Sequence, residues 1–471
     1  MRGLLVGFAS LLLLAGCTDD SSPADQPSAT TSTGESPATV GSGTGPDLAL
    51  GPCSDELPDG FKCGRLTVPL DHSKPDGETL ALPVIVQDGP DDAPIFLDLT
   101  GGPGQPGVIF AERVSERLGP ALAGRRLVMF DQRGTGGTAI ECPGLQTEMG
   151  WNDLITPSVA ATDQCSDFLG EDRAFYATQD TVDDIDLLRQ ALGADTLTVD
   201  GTSYGTYVAE HYALSYPERV DHLVLDSVVP HEWTAEGTLQ LPNVAGVRRV
   251  LRMVCRESRC DTDPLADIAT LVKRGEDAPR LLNLMAVISV ASGTDMSFVP
   301  DMLHLAVRGN RRFLDGWLGG VSEPPLPEEY SAGLHAATVC LDQQHQPWGG
   351  SDADQAVRAA AVRRVEAELT AAETYPFGPD AVVDQGLVAE CEPWGETPPD
   401  EVSQDRMLPD VPTLILVGDH DLSTPWEWAK AEIRVTPHPQ VLVVRGTGHS
   451  VQSHADEFPQ VLRRLESFLA S

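Results

Sequence analysis

Residues 197–206 of the chain read Leu-Thr-Val-Asp-Gly-Thr-Ser-Tyr-Gly-Thr. The first three residues are an apolar run typical of a buried parallel strand, and residues 207–214 have helical character. At the junction, Gly201, Ser203 and Gly205 form a Gly-x-Ser-x-Gly pattern. A serine in such a turn has a strained backbone, which requires residues without side chains two positions away on either side. The stretch therefore predicts a nucleophile elbow with Ser203 in its turn.

The five-residue pattern is a weak signal by itself, so the prediction depends on a base for Ser203. A free serine hydroxyl is a poor nucleophile near neutral pH. Among the 11 histidines, His449 directly follows the last apolar strand, on a loop at its carboxyl end. His454 belongs to the approach to the final helix, and His438 precedes the strand. His449 is the predicted base, and the alternative is a plain loop histidine.

A carboxylate must fix the tautomer of this histidine and stabilise the imidazolium. The segment 417–425 leaves the preceding apolar strand and offers Asp419 and Asp421. Asp421 is the predicted partner, because Asp419 lies closer to the strand, where a turn cap is the alternative role. The order serine, aspartate, histidine along the chain is the one expected of an α/β-hydrolase.

The loop Thr100–Gly104 follows an apolar strand at residues 95–99. In this arrangement the loop supplies one backbone N–H to the oxyanion of a tetrahedral intermediate, and the residue after the nucleophile, Tyr204, supplies the other. Glycines let the backbone approach the substrate closely. The alternative reading is a plain Gly-Pro turn.

Short apolar runs alternate with helical stretches over most of the chain, which predicts a mostly parallel sheet with helices on both faces, the α/β class. An antiparallel pair at 66–70 and 79–86 opens it. The further predicted strands are 95–99, 127–130, 197–199, 223–225, 413–417 and 441–444, with helices at 182–192 and 204–216 among them.

Residues 231–409 interrupt this rhythm, because they contain helical stretches such as 352–373 and no clear strand. They are predicted to form a helical lid over the carboxyl ends of the strands, where such sheets bind ligands. The two flanking segments, 48–230 and 410–471, are then the two parts of the hydrolase core.

The N-terminus predicts export. Arg2 precedes an apolar run, Leu4–Ala15, that is too short for a membrane span, and Leu-Ala-Gly-Cys ends at Cys17. Residues 1–17 resemble a bacterial lipoprotein signal peptide with a lipobox, which implies a lipid anchor on Cys17 at the outer face of the cell membrane or envelope. The alternative is an ordinary secretory signal with an incidental cysteine. Residues 18–47 are polar and small, and we expect a disordered tether.

The amino-acid composition limits the kinds of partner that the protein is expected to bind. The formal charge of −39, from 71 acidic and 32 basic residues, disfavours binding to nucleic acid or to anionic lipid surfaces. Without Cys17 eight cysteines remain, an even number that suits disulfides in an exported chain. Sequence cannot fix their pairing. We expect neighbours to pair: Cys53 with Cys63, Cys142 with Cys165, Cys255 with Cys260, and Cys340 with Cys391. No metal or nucleotide motif is found.

Several motifs together resemble the proline iminopeptidase and tripeptidyl aminopeptidase branch of the α/β-hydrolases, most closely its exported actinobacterial lipoproteins. They are Gly101-Gly102-Pro103-Gly104, Asp131-Gln132-Arg133-Gly134-Thr135-Gly136, Gly201-Thr202-Ser203-Tyr204-Gly205-Thr206, Gly418 to Pro425, Gly448-His449, Cys340-Leu341-Asp342 and Cys391-Glu392-Pro393-Trp394. The resemblance covers most of residues 50–471.

This resemblance implies a cofactor-free serine hydrolase that releases short peptides or amino acids from free N-termini through an acyl-enzyme. By motif, Ser203, Asp421 and His449 are its triad, and Gly102 and Tyr204 its oxyanion donors. It also implies that Arg133 is a structural ion-pair residue. Thr100 departs from the family, where iminopeptidases have histidine, which puts the substrate preference in doubt.

Recognition of a protonated amine requires desolvated carboxylates, and Asp342, Glu390 and Glu392 are the candidates beside the two lid cysteines. Each could equally be an exposed acid on a helix or turn. Two other functions stay open at this stage. The same triad could act on small acyl esters as a carboxylesterase, or the fold could serve a noncatalytic envelope lipoprotein.

Overall fold

The computed structural model describes residues 46–471 except 47, 55–56, 58, 123, 153–154, 233–238, 320–323, 343–346 and 399–406. The predicted signal peptide, the tether and the lipidation site at Cys17 lie outside the described residues. Within the described part of the chain, no helix has the length and apolar character needed to cross a bilayer.

The described residues contain nine strands, which form one sheet in the order β1-β2-β3-β5-β4-β6-β7-β8-β9. β1 to β3 and the β3–β5 pair are antiparallel, and the other pairs are parallel. The predicted antiparallel opening and parallel centre are both confirmed. The strands are β1 Gly51–Pro52, β2 Phe61–Pro69, β3 Thr79–Gln87, β4 Ile95–Leu99, β5 Arg126–Phe130, β6 Leu197–Thr202, β7 Val220–Asp226, β8 Thr413–Gly418 and β9 Gln440–Val444.

The apolar runs are continuous because the central strands are buried on both faces. In β4, Ile95 and Leu97 face one hydrophobic cluster and Phe96 faces another. The first cluster is completed by helices α4, Thr178–Ala191, and α5, Tyr204–Ser215, and the second by α1, Ala111–Leu118. The remaining helices outside the lid are α2 Pro143–Met149, α3 Val159–Leu169, α16 Trp426–Val435 and α17 Gln460–Leu469.

Between β7 and β8 the described residues contain helices and no strand. These helices are α6 Leu241–Ser258, α7 Pro264–Lys273, α8 Ala278–Ala291, α9 Val299–Val307, α10 Arg312–Leu318, α11 Ala332–Asp342, α12 Gln355–Glu368, α13 Ala371–Thr374, α14 Asp380–Val383 and α15 Gly386–Cys391. The helix predicted at 352–373 is two helices, because Thr370 and Glu373 form a capping box that starts α13.

Helices α2 and α3 differ from the prediction in their packing. The sequence places them in the first part of the core, yet Leu145 of α2 and Cys165 of α3 share a hydrophobic cluster with Ala336 of α11 and Cys391 of α15. Helices α2 and α3, which lie between β5 and β6 in the chain, therefore pack with helices of the segment between β7 and β8.

All four predicted disulfides are confirmed. The bonds join Cys53 to Cys63, Cys142 to Cys165, Cys255 to Cys260, and Cys340 to Cys391, with Cα–Cα distances of 4.9, 5.3, 5.0 and 5.2 Å. Four disulfides indicate a protein that folds in an oxidising compartment outside the cytosol.

Candidate active site

Ser203 lies in the turn between β6 and α5, with φ 58° and ψ −127°. The positive φ is costly for a residue with a side chain, so the surroundings must hold it. A Cβ at Gly201 would overlap the carbonyl oxygen of Gly205, and a Cβ at Gly205 would overlap that of Leu99. The two glycines of the motif are thus required by close backbone contacts, as the sequence predicts.

His449 and Asp421 come together at the carboxyl ends of β9 and β8. Nδ1 of His449 lies 2.9 Å from Oδ2 of Asp421, whose side chain is fully buried. Asp421 also accepts hydrogen bonds from the backbone N–H groups of Ser423 and Thr424, at 2.9 and 3.0 Å, and from Thr424 Oγ1 at 2.7 Å. Three donors therefore fix this carboxylate against the imidazole.

Asp419 has a different role. Its Oδ1 accepts a hydrogen bond of 2.7 Å from the backbone N–H of Gly446. It thereby ties the loop after β8 to the loop after β9. This contact corresponds to the turn-capping alternative, and it leaves Asp421 as the aspartate that faces His449.

Asp226, at the end of β7, anchors the segment that follows His449. Its carboxylate accepts from the backbone N–H groups of Val451 and Gln452, at 2.9 and 2.7 Å. Ser227 Oγ accepts from the backbone N–H of Ser450 at 2.8 Å. Burial raises the pKa of Asp226 to about 6, although these N–H groups and nearby His449 favour its charged form. Asp226 and Ser227 are not among the residues predicted from the sequence. The sequence feature that could have indicated them is an Asp-Ser pair at the end of an apolar strand.

Two further buried acids lie under the site. Asp98 in β4 and Asp200 in β6 are register partners on neighbouring parallel strands, and both are buried. Gln452 Nε2 donates to Asp200 Oδ1 at 2.8 Å. Burial raises the pKa of Asp98 to about 6, and burial together with Asp98 raises the pKa of Asp200 well above its usual value. The pair therefore holds a proton at pH values where free carboxyls are ionised.

The loop after β4 packs directly against the elbow. A Cβ at Gly101 would lie 2.9 Å from Cβ of Ser203, and Gly102 has φ 108°. Thr100 Oγ1 donates to the carbonyl of Gln105 at 2.9 Å, which closes the loop. The backbone of Gly102 is thus held beside Ser203, where the predicted oxyanion donors are required.

Two cavities meet at Ser203 and Gly102. The larger, about 530 Å³, is also lined by His449 and by residues of α1, α8 and the segment around Trp151. The smaller, about 100 Å³, is also lined by Tyr204 and by lid residues that include Asp342 and Glu390. A substrate whose reacting carbonyl lay at Ser203 could extend into both.

Asp342 is buried and already bound by several donors. It accepts from the backbone N–H of Thr178 at 2.9 Å, from Thr178 Oγ1 at 2.6 Å and from the phenol of Tyr204 at 2.9 Å. Burial and the Asp342 charge raise the pKa of Tyr204 well above its usual value, so the phenol remains a donor. Asp342 thus connects α11 to the elbow.

Glu390 is also buried, and its surroundings differ. Oε2 lies 3.3 Å from Nε2 of His335, while Oε1 has no hydrogen-bond partner among the described residues. His335 Nδ1 lies 3.2 Å from the carbonyl oxygen of Pro103, so Nδ1 is the donor in that hydrogen bond. Sequence reasoning missed His335. Glu392 does not appear among the described residues that line the two cavities.

Arg133 is fully buried behind the site. Its guanidinium donates twice to Asp184, each time at 2.8 Å, and to the carbonyls of Leu70 and Phe175. Burial disfavours the charge, but Asp184 outweighs that effect and raises the pKa of Arg133. The ion pair joins the loop after β5 to α4.

Comparisons with known proteins agree with this geometry. A family model described as "alpha/beta hydrolase fold" matches residues 94–276, and one described as "TAP-like protein" matches residues 375–468. Serine protease Hip1 of Mycobacterium tuberculosis is 33% identical over 192 residues, which are 37% of each chain. Tripeptidyl aminopeptidase of Streptomyces lividans is 31% identical over 196 residues, 37% of this chain and 36% of that protein.

Proline iminopeptidase PfmaB of Pestalotiopsis fici is 25% identical over 154 residues, 32% of this chain and 42% of that protein. The chain thus matches well under half the length of each of these relatives. The two family models together match more than half of the 471 residues, and the sheet order and strand-turn-helix at Ser203 agree with them. The chain belongs to the α/β-hydrolase fold family.

Proposed function

We propose that the protein is a serine aminopeptidase that releases amino acids or short peptides from the free N-terminus of peptides. The observation that carries the proposal is the placement of Ser203, in a strained turn, in one cavity with His449, whose Nδ1 lies 2.9 Å from Asp421. The names of the relatives, two of them peptidases acting at N-termini, support the same reaction class.

The contact between His449 and Asp421 determines which imidazole nitrogen acts as the base. Because Nδ1 of His449 faces Asp421, Nε2 is the nitrogen that takes the proton of the Ser203 hydroxyl as its oxygen attacks the scissile carbonyl. The backbone N–H groups of Gly102 and Tyr204 stabilise the oxyanion. His449 then protonates the leaving amine, and a water molecule hydrolyses the acyl-enzyme by the same route.

The smaller cavity supports an aminopeptidase in particular. A protonated α-amine needs a desolvated carboxylate with a free oxygen, and Oε1 of Glu390 meets that need in the cavity that includes Ser203. Asp342 is the second candidate, although its donors from Thr178 and Tyr204 compete with an amine. Glu392 has no comparable support.

The proposal is tested with a panel of substrates on the purified full-length chain. Aminoacyl-, dipeptidyl- and tripeptidyl-arylamides are compared with their N-acetylated forms and with p-nitrophenyl esters. We expect turnover of free-amine amides, loss of turnover on acetylation, and a fall in kcat of about 10⁶-fold in Ser203→Ala. Turnover of esters without turnover of any amide would instead establish the carboxylesterase alternative, and inactivity on all of them in wild type would favour a binding role.

The lipid anchor on Cys17 and the position at the outer face of the membrane belong to the same proposal. Metabolic labelling with a fatty acid, compared between wild type and Cys17→Ala, tests them. Label that persists in Cys17→Ala would refute the anchor.

A further inference from the structure

A buried polar group outside the two cavities unites Glu210, His231 and Glu432. Glu210 lies on α5, His231 follows β7 at the start of the predicted lid, and Glu432 lies on α16. The two glutamates are fully buried and His231 is 6% exposed. One potential ligand atom of each residue lies within 4.8 Å of those of the other two.

The charges of this group are poorly balanced. His231 Nδ1 lies 2.9 and 3.0 Å from the two carboxylate oxygens of Glu432, and its backbone N–H donates to the same carboxylate at 3.3 Å. Both oxygens of Glu210 lack a hydrogen-bond partner among the described residues. A buried carboxylate with no partner is costly, and a second carboxylate close by increases that cost.

A divalent cation would remove this imbalance. Two carboxylates and a neutral imidazole carry two negative charges, which a doubly charged metal ion cancels. Zn²⁺ takes nitrogen ligands from histidine and oxygen ligands from glutamate at about 2.0–2.2 Å, so ligand atoms in a tetrahedral site are about 3.3 Å apart. His231 Nδ1 lies 2.9 and 3.0 Å from the two oxygens of Glu432, and a ligand atom of Glu210 lies within 4.8 Å of both residues, so side-chain rotations would bring the three groups to that spacing.

We propose that Glu210, His231 and Glu432 bind a divalent transition-metal ion, Zn²⁺ by preference, as a structural site. A second carboxylate oxygen or a water molecule supplies the fourth ligand. The imidazole favours Zn²⁺ over Mg²⁺ and Ca²⁺, which prefer oxygen-only ligand sets. Glu210, His231 and Glu432 are too far apart along the chain to form a recognisable metal motif.

The site would connect three segments of the chain that are distant in sequence. α5 follows Ser203, α16 follows the loop of Asp421, and His231 begins the chain segment that enters the lid. A metal there fixes the entry of the lid to the core without touching substrate. Its loss should lower stability and leave the chemistry of the triad in place.

Wild type alone provides the first test. The full-length chain, purified without an affinity tag or chelator, is analysed for metals by mass spectrometry. We expect about one zinc per chain, a fall in Tm of several degrees after chelation, and recovery of Tm with Zn²⁺ but not with Mg²⁺. Metal-free protein whose Tm does not change with saturating Zn²⁺ would overturn the proposal.

Variants locate the site. Glu210→Gln and His231→Ala should lower zinc affinity more than 10-fold. Glu427→Gln, a half-buried glutamate on the same helix as Glu432, should retain zinc. A wild type without zinc together with a Glu210→Gln variant of higher Tm would show a proton shared between the two glutamates in place of a metal. Because these readouts are metal content and Tm, they do not depend on the proposed peptidase activity.

Discussion

The phenol of Tyr204 donates a hydrogen bond of 2.9 Å to Asp342. Tyr204 is the residue after the proposed nucleophile, and Asp342 ends α11 of the lid. This bond joins the backbone that would stabilise the oxyanion to the helix that lines the smaller cavity. This buried contact therefore connects α11 to the elbow.

Tyr204→Phe tests that contact, because it removes the phenol and keeps the backbone N–H. We expect the free energy of unfolding to fall by about 2 kcal/mol, since a buried carboxylate loses a donor, and kcat/KM to fall several-fold. Denaturant unfolding and kinetics measure the two effects. Tyr216→Phe, which removes a 2.8 Å bond to Asp183 away from the site, is the control. Equal kinetics in both variants would contradict the expected role of this contact.

Glu390→Gln should weaken recognition of the substrate amine. Replacing the charged acceptor with an amide should reduce kcat/KM on free-amine arylamides by about 10²-fold. Turnover of a small p-nitrophenyl ester should hardly change. Glu392→Gln provides a matched control two residues away, outside the residues that line the cavity. If Glu392→Gln causes the larger loss, the assignment of Glu390 is wrong.

Asp421→Asn should reduce kcat by about 10⁴-fold, because an amide does not hold the required histidine tautomer or stabilise the imidazolium. Asp419→Asn should have a much smaller effect, because its contact is one backbone N–H of Gly446. Steady-state kinetics of both variants, with circular dichroism to verify folding, compares them. Similar losses in the two would show that the loop, and not the Asp421 charge, matters.

Asp200→Asn should stabilise the protein at high pH. The folded pKa of Asp200 is raised by burial and by Asp98, so wild type loses free energy of unfolding as the pH rises from about 4 through that pKa. Asparagine does not titrate and can still accept a hydrogen bond from Gln452 Nε2. We therefore expect a gain in the free energy of unfolding at pH 8 that disappears towards pH 4. Denaturant unfolding of wild type and Asp200→Asn at pH 4 and pH 8 measures this gain. A gain in unfolding free energy that is the same at both pH values would exclude titration of Asp200 as the cause.

Removal of the Cys340–Cys391 bond, which spans 51 residues, should cost about 4 kcal/mol of unfolding free energy through loop entropy. Removal of the Cys255–Cys260 bond, which spans 5, should cost about 2 kcal/mol. Paired Cys→Ser variants and denaturant unfolding measure both. The reverse order would show that local packing, and not chain entropy, sets these costs.

The sequence predicts the strands of the sheet well because its central strands are buried on both faces and read as continuous apolar runs. It also predicts where Ser203 and His449 lie in the fold, since each follows the carboxyl end of a strand. The sequence does not predict the roles of Asp226 and His335, because these roles depend on contacts between segments that are far apart in sequence. The helix predicted at 352–373 is too long, because in the sequence the capping box inside it resembles a continuous helix.

The shared hydrophobic cluster of α2, α3, α11 and α15 also bears on protein engineering. Residues 231–409 could be exchanged with those of a relative in order to change the substrate preference. If only these residues are exchanged, α2 and α3 would pack against α11 and α15 of the other protein. Chimeras that also exchange residues 140–169 take all four of these helices from the same protein. Such two-segment chimeras are the ones we expect to fold.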